Sequence, residues 1–320
     1  MTTRRNFARV MLVGLAALCI APTVSAQQGR GGGAGRAGAA AAQPLAPTGP
    51  AQSILFVGNS FTYGASSPVW RYRADTVTDL NNSGIGGVPA LFKAFADQQG
   101  LNYNVSLETN PGVGLDFHLA NRRPLLDKPW DIVVMHGLST LDGANPGNPG
   151  LLVRTAAEAA QMFQAKNPNV QIHITATWSR ADLTYPANQT WSGKPITQMA
   201  VDVRSAYDQA AAASPYIRTV IPVGEAWNRA FAANVADPNP YDGIAANQVN
   251  LWTYDHYHAS AYGYYLHALM VYGRITGRDP TTLGGRERSA QELGFSAAQT
   301  TALQQIARDE LAAYRGKGAA

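Results

Sequence analysis

The chain contains 320 residues, of which 46% are hydrophobic and 14% are charged. A chain of this length and composition can bury a full hydrophobic core, which excludes a peptide effector and an intrinsically disordered protein. The formal net charge is +4, but five basic residues lie in residues 1–50, which hold no acidic residue, so 20 basic and 21 acidic side chains remain in residues 51–320. This near-neutral remainder has no concentrated basic face and predicts no nucleic-acid partner.

Residues 1–26 have the three parts of a secretory signal. Arg4, Arg5 and Arg9 are followed by an apolar run from Val10 to Ile20, too short to span a membrane, and by a small-residue cleavage site that ends at Ala26. The arginine pair also resembles the twin-arginine export motif, so twin-arginine and general secretion both remain open. We expect an exported bacterial protein, periplasmic or extracellular, without stable membrane insertion after signal cleavage.

Residues 27–50 consist almost entirely of Gly, Ala, Gln, Pro and Arg, a composition that is typical of a flexible linker. Residues 51–320 then fit one domain. The only cysteine, Cys19, lies in the signal segment, so cleavage after Ala26 would leave neither a disulfide nor a thiol nucleophile.

Strand and helix patterns alternate along the predicted domain. The predicted strands are Ser53–Val57, Asn102–Leu107, Asp131–Met135, Val170–Thr177 and Ile217–Val223. The predicted helices are Val88–Gln99, Leu151–Lys166, Ile196–Ala213, Ser260–Thr276 and Ala297–Tyr314. This alternation predicts a flavodoxin-like three-layer α/β/α sandwich with a five-stranded parallel sheet, whose ligands bind beyond the carboxyl ends of the strands.

Two long segments rich in glycine, proline and asparagine leave that edge of the predicted sheet. They run from Tyr63 to Gly87 and from Ser179 to Pro195. Loops of this length at a ligand-binding edge are either functional walls and lids or solvent-exposed decoration, and the sequence leaves both open.

Ser60 lies just past the carboxyl end of the first predicted strand, where a turn can expose its hydroxyl. Alone it would usually be a helix cap. Near the other end of the domain, Asp255 precedes His258 by three residues, immediately before a helix. Such an aspartate can hold the imidazole in one tautomer, which leaves the other nitrogen free to take a proton from a serine.

These two motifs together resemble the SGNH (GDSL-like) hydrolase superfamily. The segment Gly58-Asn59-Ser60-Phe61-Thr62, together with Asp255-x-x-His258, is similar to its uncharacterised GNSF-type branch. The resemblance runs from Ile54 to Ile275 and implies the SGNH fold, with Ser60 as nucleophile, His258 as base and Asp255 as the residue that orients it.

The resemblance also implies an oxyanion hole. Besides the backbone N–H of Ser60, its second block supplies a glycine amide, matched here by Gly112, which would otherwise be an ordinary turn glycine. The third block departs from the family, because His136-Gly137-Leu138-Ser139 replaces Gly-x-Asn-Asp. His136 then either donates an N–H to the oxyanion or satisfies a buried carbonyl group.

No cofactor is expected. His256 and His258 could supply metal ligands, with Asp255 nearby, but no further clustered ligand accompanies them and we assign no metal site. The sequence also lacks a phosphate loop, a dinucleotide fingerprint and a Gly-x-Ser-x-Gly elbow.

Trp178, Trp191 and Trp252 lie near the predicted site and could stack on sugar rings, although core packing explains most tryptophans. We therefore predict a secreted serine esterase that removes acyl groups, acetyl first among them, from a small-molecule or saccharide ester. The alternative is a catalytically weak or inactive glycan-binding module with the same fold. The oligomeric state is left open.

Overall fold

A parallel sheet of six strands forms the centre of the domain. The computed structural model describes residues 40–314, which belong to one compact unit. The predicted signal segment and the predicted linker as far as residue 39 lie outside the described residues. The strands are β1 (Thr48–Gly58), β2 (Thr78–Asp79), β3 (Leu101–Thr109), β4 (Ile132–Met135), β5 (Gln171–Ala176) and β6 (Ile217–Pro222).

Helices fill most of the connections. They are α1 (Ser60–Tyr63), α2 (Gly87–Gln98), α3 (Leu115–Asn121), α4 (Arg123–Leu126), α5 (Gly150–Lys166), α6 (Ala181–Thr184), α7 (Gln198–Ala212), α8 (Val223–Ala232), α9 (Ala261–Thr276), α10 (Arg288–Glu292) and α11 (Ala297–Ala313), with short 3₁₀ turns at Pro68–Arg71, Ala74–Thr76 and Pro280–Leu283. No helix within residues 40–314 is both long enough and apolar enough to cross a bilayer.

The sheet order is β2-β3-β1-β4-β5-β6, and every pair is parallel. The predicted three-layer α/β fold is thus confirmed, but the sheet has six strands instead of five. The additional strand, β2, has two residues inside the long segment from Tyr63 to Gly87, and it pairs with β3 at the edge of the sheet. β1 also begins at Thr48, so the last residues of the predicted linker lie in a strand.

Two hydrophobic cores cover the two faces of the sheet. Alternate side chains of β1 point to opposite faces, as strand geometry requires: Ile54 and Phe56 pack with α2, α8, α9 and α11, whereas Leu55 and Val57 pack with α3, α5 and α7. Because both faces are covered, the central strands are continuously apolar, which explains why their positions could be predicted from the sequence.

The order of the strands also fixes where a ligand can bind. From β1 the chain runs to β3 on one side and β4 lies on the other. In open parallel sheets a crevice forms beyond the carboxyl ends of the strands at such a switch point. The segments that leave β1, β3 and β4 therefore meet at this edge.

Candidate active site

Ser60 lies at the switch point of the sheet. β1 ends at Gly58, Asn59 caps the following helical turn, and Ser60 is the first residue of α1. Its N–H therefore has no partner within the helix, and the residue is only 4% exposed. A serine hydroxyl and an uncommitted backbone N–H are thus held in one place at the end of the central strand.

Gly58 is the position in this turn that requires a glycine. A Cβ added there would lie 2.3 Å from Thr62 Oγ1 and 2.5 Å from His136 Nε2, far inside van der Waals contact. The absent side chain lets the first and third sequence blocks approach each other directly behind Ser60.

Asp255 and His258 form a closed turn just before α9. Trp252 and Ala259 pair at its base, and Asp255 Oδ1 accepts hydrogen bonds from Thr253 Oγ1 (2.7 Å) and from His258 N (2.8 Å). His258 Nδ1–H donates to Asp255 Oδ2 at 2.7 Å. Since a carboxylate only accepts, this bond fixes the tautomer and leaves the lone pair of Nε2 available to a proton.

The carboxyl group of Asp255 is held in its charged form. Partial burial acts to raise its pKa, but the hydrogen bonds from the His258 side chain and backbone, from Thr253 and from Tyr257 outweigh burial and lower the pKa below its usual range. Asp255 is therefore an anion at neutral pH and can stabilise a protonated His258.

The structure brings this turn against the segment that carries Ser60. The ring of Phe61, the residue after Ser60, meets the His258 imidazole edge-on at 5.9 Å between centroids. Tyr264 OH donates to Ser60 O at 3.1 Å, and Ser66 Oγ donates to Asp255 Oδ2 at 3.4 Å. Two motifs that are about 200 residues apart in sequence thus lie against each other in the fold.

Solved structures provide the comparison with known proteins. A DUF4886 family protein from Bacteroides uniformis is similar over 82% of this chain and 95% of its own, with 16% sequence identity and a TM-score of 0.54. The chain shares its fold with that protein. The similarity shows the fold alone, and the resemblance seen in the sequence motifs agrees with it.

Other solved structures are more distant. One is a Parabacteroides merdae protein assigned to the GDSL-like lipases (18% identity, 71% of this chain, 95% of that chain, TM-score 0.46). Another is a Clostridium thermocellum family 3 carbohydrate esterase (16% identity, 70% of this chain, 94% of that chain, TM-score 0.43). No protein-family model and no curated protein matches the sequence.

Both ring nitrogens of His136 are engaged in hydrogen bonds within the protein. Its Nδ1–H donates to Gly137 O at 2.8 Å, so Nε2 carries the lone pair and accepts from Thr62 Oγ1 at 2.7 Å. Burial lowers its pKa to about 4, so the ring is neutral. In this arrangement His136 has no N–H left to donate to an oxyanion, contrary to the expectation that it would do so, and its Nδ1–H satisfies the carbonyl group of Gly137 instead.

Gly112 lies in the exposed turn that follows β3. Its φ of +66° is in the left-handed region that favours glycine, and a Cβ there would meet nothing within 4 Å. Asn59 holds this turn next to Ser60, because Asn59 Nδ2 donates to Val113 O at 2.9 Å. The position is compatible with an amide donor to the site, which remains a prediction.

The three tryptophans do not form a sugar-stacking surface. Trp178, Trp191 and Trp252 are at most 1% exposed, so the expectation that they bind substrate is wrong. Trp178 stacks between Phe61 (3.9 Å) and Trp227 (4.8 Å). Trp191 Nε1 donates to Asp202 Oδ2, and Trp252 Nε1 donates to Ser179 O. Trp178 therefore packs against the residue that follows Ser60, and Trp252 lies at the base of the turn that carries His258.

Arg180 and Tyr257 are neighbours of the site that the sequence motifs did not single out. The guanidinium of Arg180 lies 3.6 Å from the Tyr257 ring centroid, and that ring lies 4.0 Å from the His258 imidazole. Asp182 holds Arg180 through two hydrogen bonds. Tyr257, inside the Asp-x-x-His motif, could have been found by its position, but Arg180 has no such signal.

The turn that contains His256 and His258 is not the extended segment that the sequence allowed for a pair of metal ligands. His256 has a φ of +55°, so His256 and His258 do not alternate along an extended segment as the sequence allowed. Among residues 40–314 no group of three or more His, Cys, Asp and Glu side chains is placed to hold a metal ion.

Proposed function

We propose that the protein is a secreted serine esterase that hydrolyses acyl esters, with acetyl esters of a saccharide as the expected substrates. The observation that carries the proposal is the Asp255–His258 pair, which is hydrogen-bonded in the tautomer that a base requires and packed against the helical turn that begins with Ser60.

The residues support a two-step reaction. Ser60 Oγ attacks the ester carbonyl carbon while its proton passes to His258 Nε2, and Asp255 stabilises the imidazolium. The tetrahedral intermediate then breaks its bond to the alcohol oxygen, which takes the proton from His258. Water attacks the acyl-enzyme with His258 again as base, which releases the acid and restores Ser60.

Backbone groups supply the oxyanion hole in this proposal. The N–H of Ser60, uncommitted at the start of α1, and that of Gly112 are the donors we assign. Because both ring nitrogens of His136 are engaged, the third block contributes no histidine donor.

The lack of an oxyanion donor from His136 also favours a second candidate, a glycan-binding module with weak or no catalysis. A missing oxyanion donor typically lowers turnover by 10²- to 10³-fold, so a protein with this site could keep the fold and lose useful activity.

Serine reactivity separates the two candidates. We expect a fluorophosphonate to label Ser60 and Ser60→Ala to lower turnover of p-nitrophenyl acetate by at least about 10³-fold. Ser205→Ala, which removes an exposed hydroxyl on α7, is the matched control and should behave like the parent. Near-normal turnover by Ser60→Ala would reject the enzyme, and glycan affinity without labelling would establish the module.

A further inference from the structure

A cavity of about 560 Å³ opens beside the nucleophile turn, the helical turn Ser60–Tyr63 that begins with the proposed nucleophile. Tyr63, the last residue of α1, lines it, and so does Asn110, whose N–H donates to Gly58 O at 3.2 Å. The cavity therefore adjoins the segment that carries Ser60. Its volume is in the range of pockets that hold small organic ligands.

One wall of the cavity comes from the long segment between Tyr63 and Gly87. The carboxylate of Asp79, at the end of β2, accepts hydrogen bonds from the N–H groups of Asn81, Ser83 and Ile85. These bonds fold residues 79–85 into an ordered turn, and all three of those residues line the cavity. Residues 79–85 therefore form an ordered wall of the cavity.

Arg122 carries the only charge among the residues that line the cavity. Its Nε is buried 3.5 Å from Glu108 Oε1 without a hydrogen bond, while 36% of its side chain is exposed. Glu108 is completely buried and also pairs with His118 and accepts from Asn81 Nδ2 at 3.1 Å. One buried carboxylate therefore contacts both Asn81 and Arg122, and the partly exposed Arg122 brings a guanidinium to the lining of the cavity.

An aromatic surface completes the cavity. Trp70 is 40% exposed and lies 5.6 Å from the Tyr63 ring. The Arg71 guanidinium lies 5.0 Å from the centroid of this indole. A partly exposed indole suits the apolar face of a sugar ring, and Asn81 Oδ1 and the amide of Asn110 suit hydroxyl groups. A cation selects a negatively charged group, and a guanidinium matches a carboxylate in a bidentate manner.

We propose that this cavity binds a carboxylate-bearing sugar ring of the substrate, with the ring on Trp70 and its carboxylate on Arg122, so that the preferred substrates are acylated acidic saccharides. The proposal rests on the proposed function, since it names the substrate of the same site.

The test compares two probes that differ only in charge, an O-acetylated mannuronate trimer and the same trimer with its carboxylates converted to amides. We expect the parent to release acetate from the acidic trimer with a kcat/KM at least about tenfold higher. Arg122→Gln should lower this preference about tenfold or more, because it removes a charge-assisted hydrogen bond, and Arg122→Lys should lower it less. Arg123→Gln, at the exposed neighbouring arginine, should leave the preference unchanged.

Direct binding separates failure of this proposal from failure of the proposed function. Titration calorimetry of Ser60→Ala with the two trimers does not depend on catalysis. Tighter binding of the acidic trimer that Arg122→Gln abolishes supports the cavity assignment even if no ester is hydrolysed. Equal hydrolysis and equal binding of both trimers, unaffected by Arg122→Gln or Arg122→Lys, would overturn it and leave the esterase intact.

Discussion

Asn59 is the residue that joins the three loops of the site. Its Oδ1 accepts from Phe61 N at 3.1 Å, and its Nδ2 donates to Val113 O and to Gly137 O at 2.9 and 3.2 Å. The side chain is 3% exposed, so each of these bonds is made away from competing water. Asn59 therefore positions the nucleophile turn relative to the segments that follow β3 and β4.

Asp255→Asn tests the orienting role of the carboxylate. An amide presents both a donor and an acceptor and carries no charge, so it can favour the wrong His258 tautomer and cannot stabilise the imidazolium. We expect kcat/KM for p-nitrophenyl acetate to fall by about 10³- to 10⁴-fold.

Asp208→Asn, an exposed position on α7, is the matched control for this substitution. Its kcat/KM should equal that of the parent. A loss of less than tenfold in Asp255→Asn, with the fold intact by circular dichroism, would contradict the triad.

The roles of residues in short local motifs could be predicted from the sequence, whereas those of residues that depend on distant neighbours could not. Ser60, Asp255 and His258 could be proposed as a triad from the sequence because each lies in a short motif at a strand or helix boundary. His136 lies at an equally informative position, but its role depends on Thr62 and the Gly137 carbonyl, which only folding places around it. Trp178 likewise gives no sequence signal of whether its ring faces solvent or Phe61.

At the scale of elements, β2 anchors the long segment from Tyr63 to Gly87 to the edge of the sheet, and the residues that follow β2 form a wall of the cavity. It pairs with β3 through two residues only, Thr78 with Ser106 and Asp79 with Leu107. No strand pattern could reveal it, because two residues cannot show a period of two and Asp is uncommon in strands. The continuous apolar strands and the capping box of α11 at Ser296 and Gln299, by contrast, were predictable because their signals are local.

Asp79→Ala tests whether this wall contributes to substrate binding. The substitution removes the acceptor of three backbone N–H groups, so we expect residues 79–85 to lose their order and KM for the acidic trimer to rise about tenfold. Asp75→Ala, at an exposed position in the same segment, should leave KM unchanged. Equal KM values for both variants and the parent would show that the wall does not contact substrate.

At the scale of the whole molecule, three buried histidines make stability sensitive to acid. Burial lowers the pKa of His136 to about 4 and those of His173 and His267 to about 3. In the unfolded chain these groups titrate near pH 6.5. Between pH 6.5 and about 4 the unfolded state therefore binds more protons than the folded state, and the free energy of unfolding must fall as pH falls.

We expect each of these histidines to contribute a slope approaching about 1.4 kcal/mol per pH unit below pH 6. Urea unfolding of the parent between pH 8 and 4.5 measures the total slope. His173→Gln should lower this slope between pH 6 and 5 by an amount approaching that of one histidine and leave the region near pH 8 flat. An unchanged slope in His173→Gln would show that folding does not lower the pKa of His173.

The hydrogen bonds of Tyr264 OH to Ser60 O and Ala65 O span 204 and 199 residues of sequence. Contacts of such separation form late, because closure of a long loop must precede them. During synthesis Ser60 leaves the ribosome long before His258. In the proposed mechanism a chain that ends before residue 255 has no base to activate Ser60, so we expect hydrolytic activity to appear only when almost the whole domain has been made.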